Sequence, residues 1–569
     1  LRWKIPKIND KNLKKYEFLC APDILKTILI NRNVDAEYAK KLISYPYEMI
    51  EQPLTLLNID NAANVLCEAI NTEQPIEIFA DYDCDGLTSG YILYTFLSCV
   101  GAEVFVHYPE RKDGYGLNLT WCKLVVDKYK NNKIKPLVIT VDNGITKKEE
   151  VKYLRDNNID VLITDHHLPQ QNLLPQNCEI LDPHLDESTF GQYLCGAGVA
   201  WNLIRYIEKQ ELQEDYSISN YLIPILAIGT IADVMPLSIY NQCVILCGLQ
   251  IMNSSNAPES IAMFKEQLAS GNTITPKTIG WELAPMLNAC GRLNQITSAA
   301  NFFYEDDKEK LYDVLDNIFN MNEKRKELEK EAIKNIDKNV NLSHKIVIAI
   351  ADKYPVGLQG LIAGKLKTKY GLPAIVLSSS GDTYSGSCRS DNISLNKLVK
   401  GAKEKHLIKE FGGHKNAGGI KIYKTELENF IEFCDNKIKE LQETGELNEE
   451  QEPEILVDGY LSLIDINNTN SDIINKFAYN KESFPQPIFI FKHLLVEQFN
   501  YSKNNSNNIC FVLKDTAKIE KKIWGWGLGE LYKQLGEPVL IDIAGSIERD
   551  FRMPTVSTLR IIDIKASDL

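Results

Sequence analysis

Asp81, Asp83 and Asp85 stand within five residues of one another, and Asp165, His166 and His167 follow in a row further along. Carboxylate oxygens and imidazole nitrogens at this density suit a divalent cation that activates water, Mn²⁺ where both donor types meet and Mg²⁺ where oxygen dominates. Three neighbouring carboxylates repel each other, and burying an unpaired ion is costly. A bound cation removes that cost, whereas a plain structural role does not. Zn²⁺ fits less well, because the set is rich in oxygen and has no Cys ligand.

The elements that must position these residues follow from the flanking pattern. Apolar runs from Ile76 to Ala80 and from Val161 to Ile163 precede the two clusters and read as buried strands. From Ile76 to about Leu181, strands at Ile76–Ala80, Glu103–Tyr108, Leu137–Val141, Asp160–Thr164 and Glu179–Leu181 alternate with helices such as Thr88–Val100 and Lys147–Asn157. That alternation predicts a parallel sheet with helices on both faces, where ligands collect at the carboxyl ends of strands. Asp81 to Asp85, Asp142 and Asp165 to His167 all fall there.

The remaining chain divides by pattern into an N-terminal helical region (1–70), a first α/β lobe (71–305), a long charged helix (306–340) and a second α/β lobe (341–440). The second lobe is expected to hold strands at Lys345–Ala351, Pro373–Ser378 and Gly419–Tyr423. An acidic linker (441–454) with seven Glu between Glu440 and Glu454 leads to a β-rich tail (455–569) that fits a small OB-like barrel. With 569 residues the chain is long enough for several cores, and a net charge of −14 argues mildly against coating duplex nucleic acid. Thirteen cysteines without a CxxC pair argue against a disulfide framework and for a reducing, cytoplasmic setting. No apolar run is long enough to span a membrane.

Four segments occur in order: Asp81-Tyr82-Asp83-Cys84-Asp85-Gly86, Val141-Asp142-Asn143-Gly144, Thr164-Asp165-His166-His167 and Ala232-Asp233-Val234-Met235-Pro236. Together with Arg111 to Gly116, Pro285 to Arg292, Gly386 to Ser390 and Gly412 to Gly419, they resemble the DHH phosphoesterase superfamily, in particular its bacterial single-strand-specific DNA exonucleases. The likeness runs over about 400 residues from the first α/β lobe through the second, and fits the two ends of the chain more loosely.

The resemblance implies a metal set of Asp83, Asp85, Asp142, His166 and Asp233, with Asp142 bridging two divalent cations, Mn²⁺ or Mg²⁺. Asp81 is either a further ligand or a residue that orients the loop. Asp165 would hold a ligand imidazole, and His167 would contact the scissile phosphate, joined by His414 from the second lobe. Arg111, Arg292, Ser387 and Arg389 would surround the terminal phosphate, with Asn288 lining the path or capping a helix. The implied activity is 5′ to 3′ degradation of single-stranded DNA into 5′-mononucleotides in recombination and repair. Implied partners are a single-strand-binding protein and a repair helicase, and the implied state is a monomer. The same-class alternative is a phosphodiesterase of short oligonucleotides or cyclic dinucleotides. In the tail, Trp524 and Trp526 have strand spacing beside Lys521 and Lys522, which leaves core packing and a base-stacking platform both open.

Cys84 and Cys388 stand where the superfamily usually has small residues. Phe484-Pro485-Gln486-Pro487 lacks the glycine-rich turn usual before it, which bears on the tail rather than on the acidic motifs.

Overall fold

The computed structural model describes residues 2–4, 16–17, 19, 21–110, 114–186, 190–212, 217–268, 273–391, 393–444, 454–477, 486–550, 553 and 555–567. Arg111, Phe484 and Pro485, singled out above, lie outside the described residues. The described chain forms two compact units: 1–107, 119–284 and 452–569 make the first, and 108–118 with 285–451 the second.

In the first unit a short strand, β1 (Arg2–Lys4), precedes helices Asp23–Asn31, Ala36–Ser44, Pro46–Ile50 and Ile59–Asn71. A sheet follows, built from β2 (Ile76–Ala80), β3 (Val104–His107), β4 (Leu137–Val141), β5 (Asp160–Thr164) and β6 (Glu179–Leu181). All pairings are parallel and the order is β3-β2-β4-β5-β6. Every residue of β2 and β4 is buried, as strands covered on both faces must be. Because β3 lies on one side of β2 and β4 on the other, the winding reverses between β2 and β4. The crevice at their carboxyl ends is where such sheets take ligands. Helices Cys84–Cys99, Gly196–Ile207 and Ile223–Ala232 pack together behind it.

The second unit contains a 29-residue helix, Lys308–Ile336, about 44 Å long at 1.5 Å per residue. Its buried side includes Leu311, Leu315, Ile318, Ala332 and Ile336, an apolar stripe on the charged helix expected from sequence. The sheet of this unit has β7 (Val347–Ile350), β8 (Ala374–Ser380), β9 (Thr383–Arg389), β10 (Ile408–Gly413) and β11 (Ala417–Tyr423), in the order β10-β11-β9-β8-β7. Only β7 and β8 run parallel. The expected α/β lobe is therefore mixed. The antiparallel β9 and β10 escape a sequence reading because serines and glycines interrupt their apolar alternation.

The tail returns to the first unit. After β12 (Glu454–Leu456) and β13 (Gly459–Tyr460), the strands β14 (Phe489–Tyr501), β15 (Ile509–Lys514), β16 (Glu520–Gly525), β17 (Leu540–Arg549) and β18 (Ser557–Ala566) form an OB-like antiparallel sheet. Its order is β16-β15-β14-β17-β18; β16 and β18 lie close, but among the described residues no ladder joins them. The tail is tied to the N-terminal region by the parallel pair β1–β12 and by a two-point Arg32–Asp458 bond at 2.8 and 3.0 Å. Trp3 Nε1 also donates to Asp563 at 2.7 Å. All twelve described cysteines are free, and among the described residues no helix is long and apolar enough to cross a membrane.

Candidate metal centre and phosphate cradle

The first acidic motif sits where β2 turns into helix Cys84–Cys99. Asp83 caps that helix, accepting hydrogen bonds from the amides of Asp85 and Gly86 at 3.0 and 3.1 Å. Gly86 lets the turn close, since a Cβ there would stand 2.4 Å from the Asp81 carbonyl oxygen. Asp85, one residue into the helix, is buried and accepts from the amides of Gly196 and Ala197 at 2.6 and 3.0 Å. These amides open helix Gly196–Ile207, and Gly196 itself is packed against Asp142, whose Cβ would lie 2.6 Å from an added Cβ.

Asp142 follows β4 with a φ of +61°, a left-handed conformation that costs energy for a residue other than glycine. Asn143 beside it ties the two strand ends together, donating to the carbonyls of Phe79 and Val141 at 3.2 and 2.9 Å. His166, after β5, points its Nε2 at three carboxylates: Asp142 at 3.0 Å, Asp233 at 3.6 Å and Asp85 at 3.7 Å. Asp233 ends helix Ile223–Ala232, and the next residue, Val234, is also held at positive φ. Donor atoms within 4.8 Å of one another group Asp85, His166 and Asp233, and separately Asp81, Asp83 and Asp142. Asp142 also groups with His166 and His167, so it faces both sets.

The electrostatics call for positive charge at this point. Burial raises the Asp85 pKa to about 6, with Asp83 adding to the shift and the Ala197 and Gly196 amides opposing it. Burial and the charges of Asp85, Asp83, Asp81 and Asp233 push Asp142 well above the carboxylate range. Asp233 is raised by burial and by Asp85 and Asp83. His166 goes the other way: burial and the neighbouring His167 bring it down to about 3. Its buried Nε2 makes no hydrogen bond, while the ring bonds the Leu194 backbone. A neutral imidazole lone pair aimed at three carboxylate oxygens is repulsive unless a cation sits among them. The donor set of one nitrogen and several hard oxygens fits Mn²⁺ or Mg²⁺.

Asp165 does not face this set. It accepts from the amides of Ile145, His166 and His167 at 2.9, 2.8 and 3.2 Å and holds His167 Nδ1 at 2.8 Å. Burial works against its charge, but the His167 bond and the His167 charge outweigh it and keep its pKa low. Burial likewise opposes charge on His167, yet the Asp165 bond and the charges of Asp165, Asp233 and Asp81 lift that ring to about 9. The imidazole that Asp165 holds is thus that of His167, which groups with Asp142 and His166.

Arg292, Ser387, Arg389, Asn288 and His414 belong to the second unit. Two of them meet there. Arg292 Nη1 donates to the Gly357 carbonyl at 2.9 Å, and a Cβ on Gly360 would stand 2.6 Å from Arg389 Nη2. Both guanidiniums therefore lie along the start of helix Gln359–Tyr370, whose amides add partial positive charge. Buried Gln359 fixes this helix start to the sheet through Ser378 Oγ at 2.8 Å and the Ser385 carbonyl at 3.3 Å. Ser387 shares a sheet face with Arg389 two residues on. His414 is exposed at the β10–β11 turn, its amide bonded to the Ala417 carbonyl at 2.8 Å, and half-buried Asn288 lies on helix Ala284–Arg292.

Sequence reasoning missed the amides of Gly196 and Ala197 and the segment Gly357 to Gly360. Both are glycine-marked helix starts, a signal that was present but unspecific. In the tail, Trp524 and Trp526 stack on each other with ring centroids 5.2 Å apart and planes at 14°. Trp526 is 54% exposed, which decides against a shared core position.

Residues 75–230 match the DHH family, N-terminal domain, and residues 343–440 match the DHHA1 domain. The chain is 26% identical over 524 residues to the single-stranded-DNA-specific exonuclease RecJ of Haemophilus influenzae, covering 87% of this chain and 89% of that protein. It is 26% identical over 557 residues to the Bacillus subtilis exonuclease of the same name, covering 96% of this chain and 68% of the relative. RecJ of Thermus thermophilus, solved in complex with Mn²⁺, superposes with a TM-score of 0.81 at 21% identity, over all of this chain and 80% of the other. The chain thus matches a DHH N-terminal domain followed by a DHHA1 domain, and the relatives it resembles along most of its length are named RecJ exonucleases.

Proposed function

We propose that this protein is a divalent-cation-dependent exonuclease that degrades single-stranded DNA from the 5′ end into 5′-mononucleotides, in DNA recombination and repair. The observation that carries the reading is the position of Asp142, shared by the Asp81–Asp83 group on one side and by His166 on the other. Bound there, two Mn²⁺ or Mg²⁺ ions would lower the pKa of a water and screen both oxygens of an in-line displacement at phosphorus. Asp83, Asp85, Asp142, His166 and Asp233 would hold them, with Asp81 completing the oxygen-rich group.

The chain's own residues do the rest. Asp165 fixes the His167 ring through Nδ1, which leaves Nε2 to present a proton to a phosphate oxygen. Arg292 and Arg389 neutralise the terminal phosphate with two-point contacts, and Ser387 donates beside them. Arg111 is assigned to the same phosphate, and Asn288 to the path of the strand. His414 joins at the scissile group. A single-strand-binding protein and a repair helicase fit as partners. A monomer is the state the resemblance implies, and a cytoplasmic setting fits the free thiols of the described residues.

The test is digestion of end-labelled single strands, duplexes and dinucleotides with Mn²⁺ or Mg²⁺. Expected is release of mononucleotides from the 5′-phosphorylated single strand, with the duplex resistant. Equal turnover on a dinucleotide and a 30-mer would instead mark a hydrolase of short oligonucleotides.

A further inference from the structure

The chain is acidic as a whole, yet residues 397–424 hold eight Lys and two Glu, a formal charge of +6 against −14 for the full chain. This segment runs from the turn after Leu395–Leu398 through β10 and β11. Lys403, Lys409 and Lys421 are exposed and gather around one carboxylate, Glu410. Lys421 bonds it at 2.8 Å, and the charges of Lys403 and Lys409 add to the lowering of its pKa. One Glu among three Lys leaves a formal charge of +2 on this spot.

The pairing register says where the cluster lies. Lys421 faces Ser385 across the β11–β9 ladder, Gly419 faces Ser387 and Ala417 faces Arg389. Side chains two apart share a face, so Arg389, Ser387, Gly419, Lys421, Gly412 and Glu410 stand on one side of the sheet. The opposite side, with Cys388, Ile420 and Ile422, is core. Helix Gln359–Tyr370 contacts β8 and β9 on the Arg389 side, whereas Gly412 and Gly419 further along are exposed. A Cβ on Gly412 would meet nothing within 4 Å, and on Gly419 only carbonyl oxygens at 3.9 and 4.0 Å. The fold does not need glycine at either position, and bare strand glycines mark places where another backbone can approach closely.

We propose that Lys403, Lys409 and Lys421 form a docking surface for the sugar-phosphate backbone of the single strand, reached from the Arg389 cradle across the floor of Gly419 and Gly412. This rests on the nuclease reading and deepens it: the lysines hold the strand a few nucleotides from the end being cleaved. From Arg389 to Lys421 is four residues along β11, about 13 Å at 3.3 Å per residue. An extended single strand, whose phosphates lie further apart than the ~3.4 Å rise of a duplex strand, covers that distance in about two nucleotides.

The test compares the full-length protein with its Lys403→Gln/Lys409→Gln/Lys421→Gln variant on 5′-phosphorylated thymidine 2-mers and 20-mers. The 2-mer is too short to reach the lysines, so kcat/KM on it stays unchanged and reports an intact fold. On the 20-mer the variant loses about tenfold in kcat/KM at low salt. In uncleaved binding, measured with Asp142→Asn added to both proteins, three lost phosphate contacts lower the slope of log affinity against log salt by about 2. Unchanged 20-mer kinetics and slope, or equal losses on both lengths, would overturn the proposal. So would intact DNA binding with loss of an acidic peptide such as oligoglutamate, which would assign the surface to a protein partner. Failure of the unmodified protein to cleave either length would refute the nuclease reading, while the salt titration would still decide the lysine surface.

Discussion

The two α/β units meet charge in opposite ways. The first buries acids at the carboxyl ends of a fully parallel sheet, where Asp81, Asp85 and Asp142 are each at most 3% exposed. The second spreads cations on a mixed sheet, with Arg389 half-buried and Lys403, Lys409 and Lys421 exposed. Buried like charges are tolerable only with a counter-ion, so the first unit is built to be completed by cations. Exposed cations are solvated and need no partner to fold, so the second unit is ready for an anionic strand that comes and goes. On the proposed reading, chemistry falls where unpaired charge is costly and grip where it is cheap.

The largest break in this comparison should come from Asp142→Ala. Removing the carboxylate shared by both groups should lower cleavage by about 10³-fold or more, some 4 kcal/mol of barrier. Affinity for an uncleaved 20-mer should stay within a few-fold, because the gripping residues lie elsewhere. Measurable turnover near that of the unmodified protein would exclude Asp142 as a bridge.

Next in size is the metal-free protein's response to pH. Asp85 titrates at about 6 in the fold, against an ordinary value of 3.8, and Asp142 and Asp233 are raised as well. A carboxyl with a raised pKa contributes its stability below the unfolded value, and that stability is lost as pH rises through the folded value. For Asp85 alone the window runs from about pH 4 to pH 6 and is worth about 3 kcal/mol. Tm in chelator should therefore fall from pH 4.5 to pH 7, and Mn²⁺ should restore it most at pH 7. A chelated Tm that rises across that range would mean the acids are already compensated within the protein.

These two predictions rest on features the sequence displayed with unequal clarity. The strands β2, β4 and β5 were legible because continuous apolar runs ending in Asp can hardly be anything else. Asp83, Asp85, Asp142, His166 and Asp233 were legible as motifs, but their convergence depends on the β2–β4 reversal, which periodicity does not reveal. The strand at Gly419–Tyr423 was legible, but its partner β10 was hidden because glycines there serve the surface rather than the core. The tail looked separable behind its acidic linker. Instead β1 pairs with β12, and Arg32 holds Asp458, across more than 400 residues of chain. Pairing that distant leaves no local signature. It also means that deleting the tail would strip the N-terminal region of partners, so single substitutions are the cleaner probe of what the tail does.

On the second unit, Arg389→Ala should cost about 2 kcal/mol in discrimination, the usual worth of a charge-assisted hydrogen bond. The preference for a 5′-phosphorylated over a 5′-hydroxyl end should drop by about 30-fold, with cleavage of the hydroxyl strand little changed. An unaltered ratio would remove Arg389 from the phosphate cradle and leave Arg292 to account for it.

The smallest effect separates stacking from charge. Trp524 and Trp526 stack with nearly parallel planes, and Trp526 and Lys522 are both exposed, so one aromatic face is supported from beneath by another. A supported ring is pre-oriented and loses little freedom when a base stacks on it, and such stacking is worth about 1 kcal/mol or more per base. Trp526→Ala should weaken a 20-mer about five-fold and leave a 3-mer untouched. Unlike the lysine variant, it should leave the salt slope unchanged, because no phosphate contact is lost. If Trp526→Ala instead lowered the slope, its effect would run through Lys521 and Lys522, and the tail would be a second electrostatic surface rather than a stacking one.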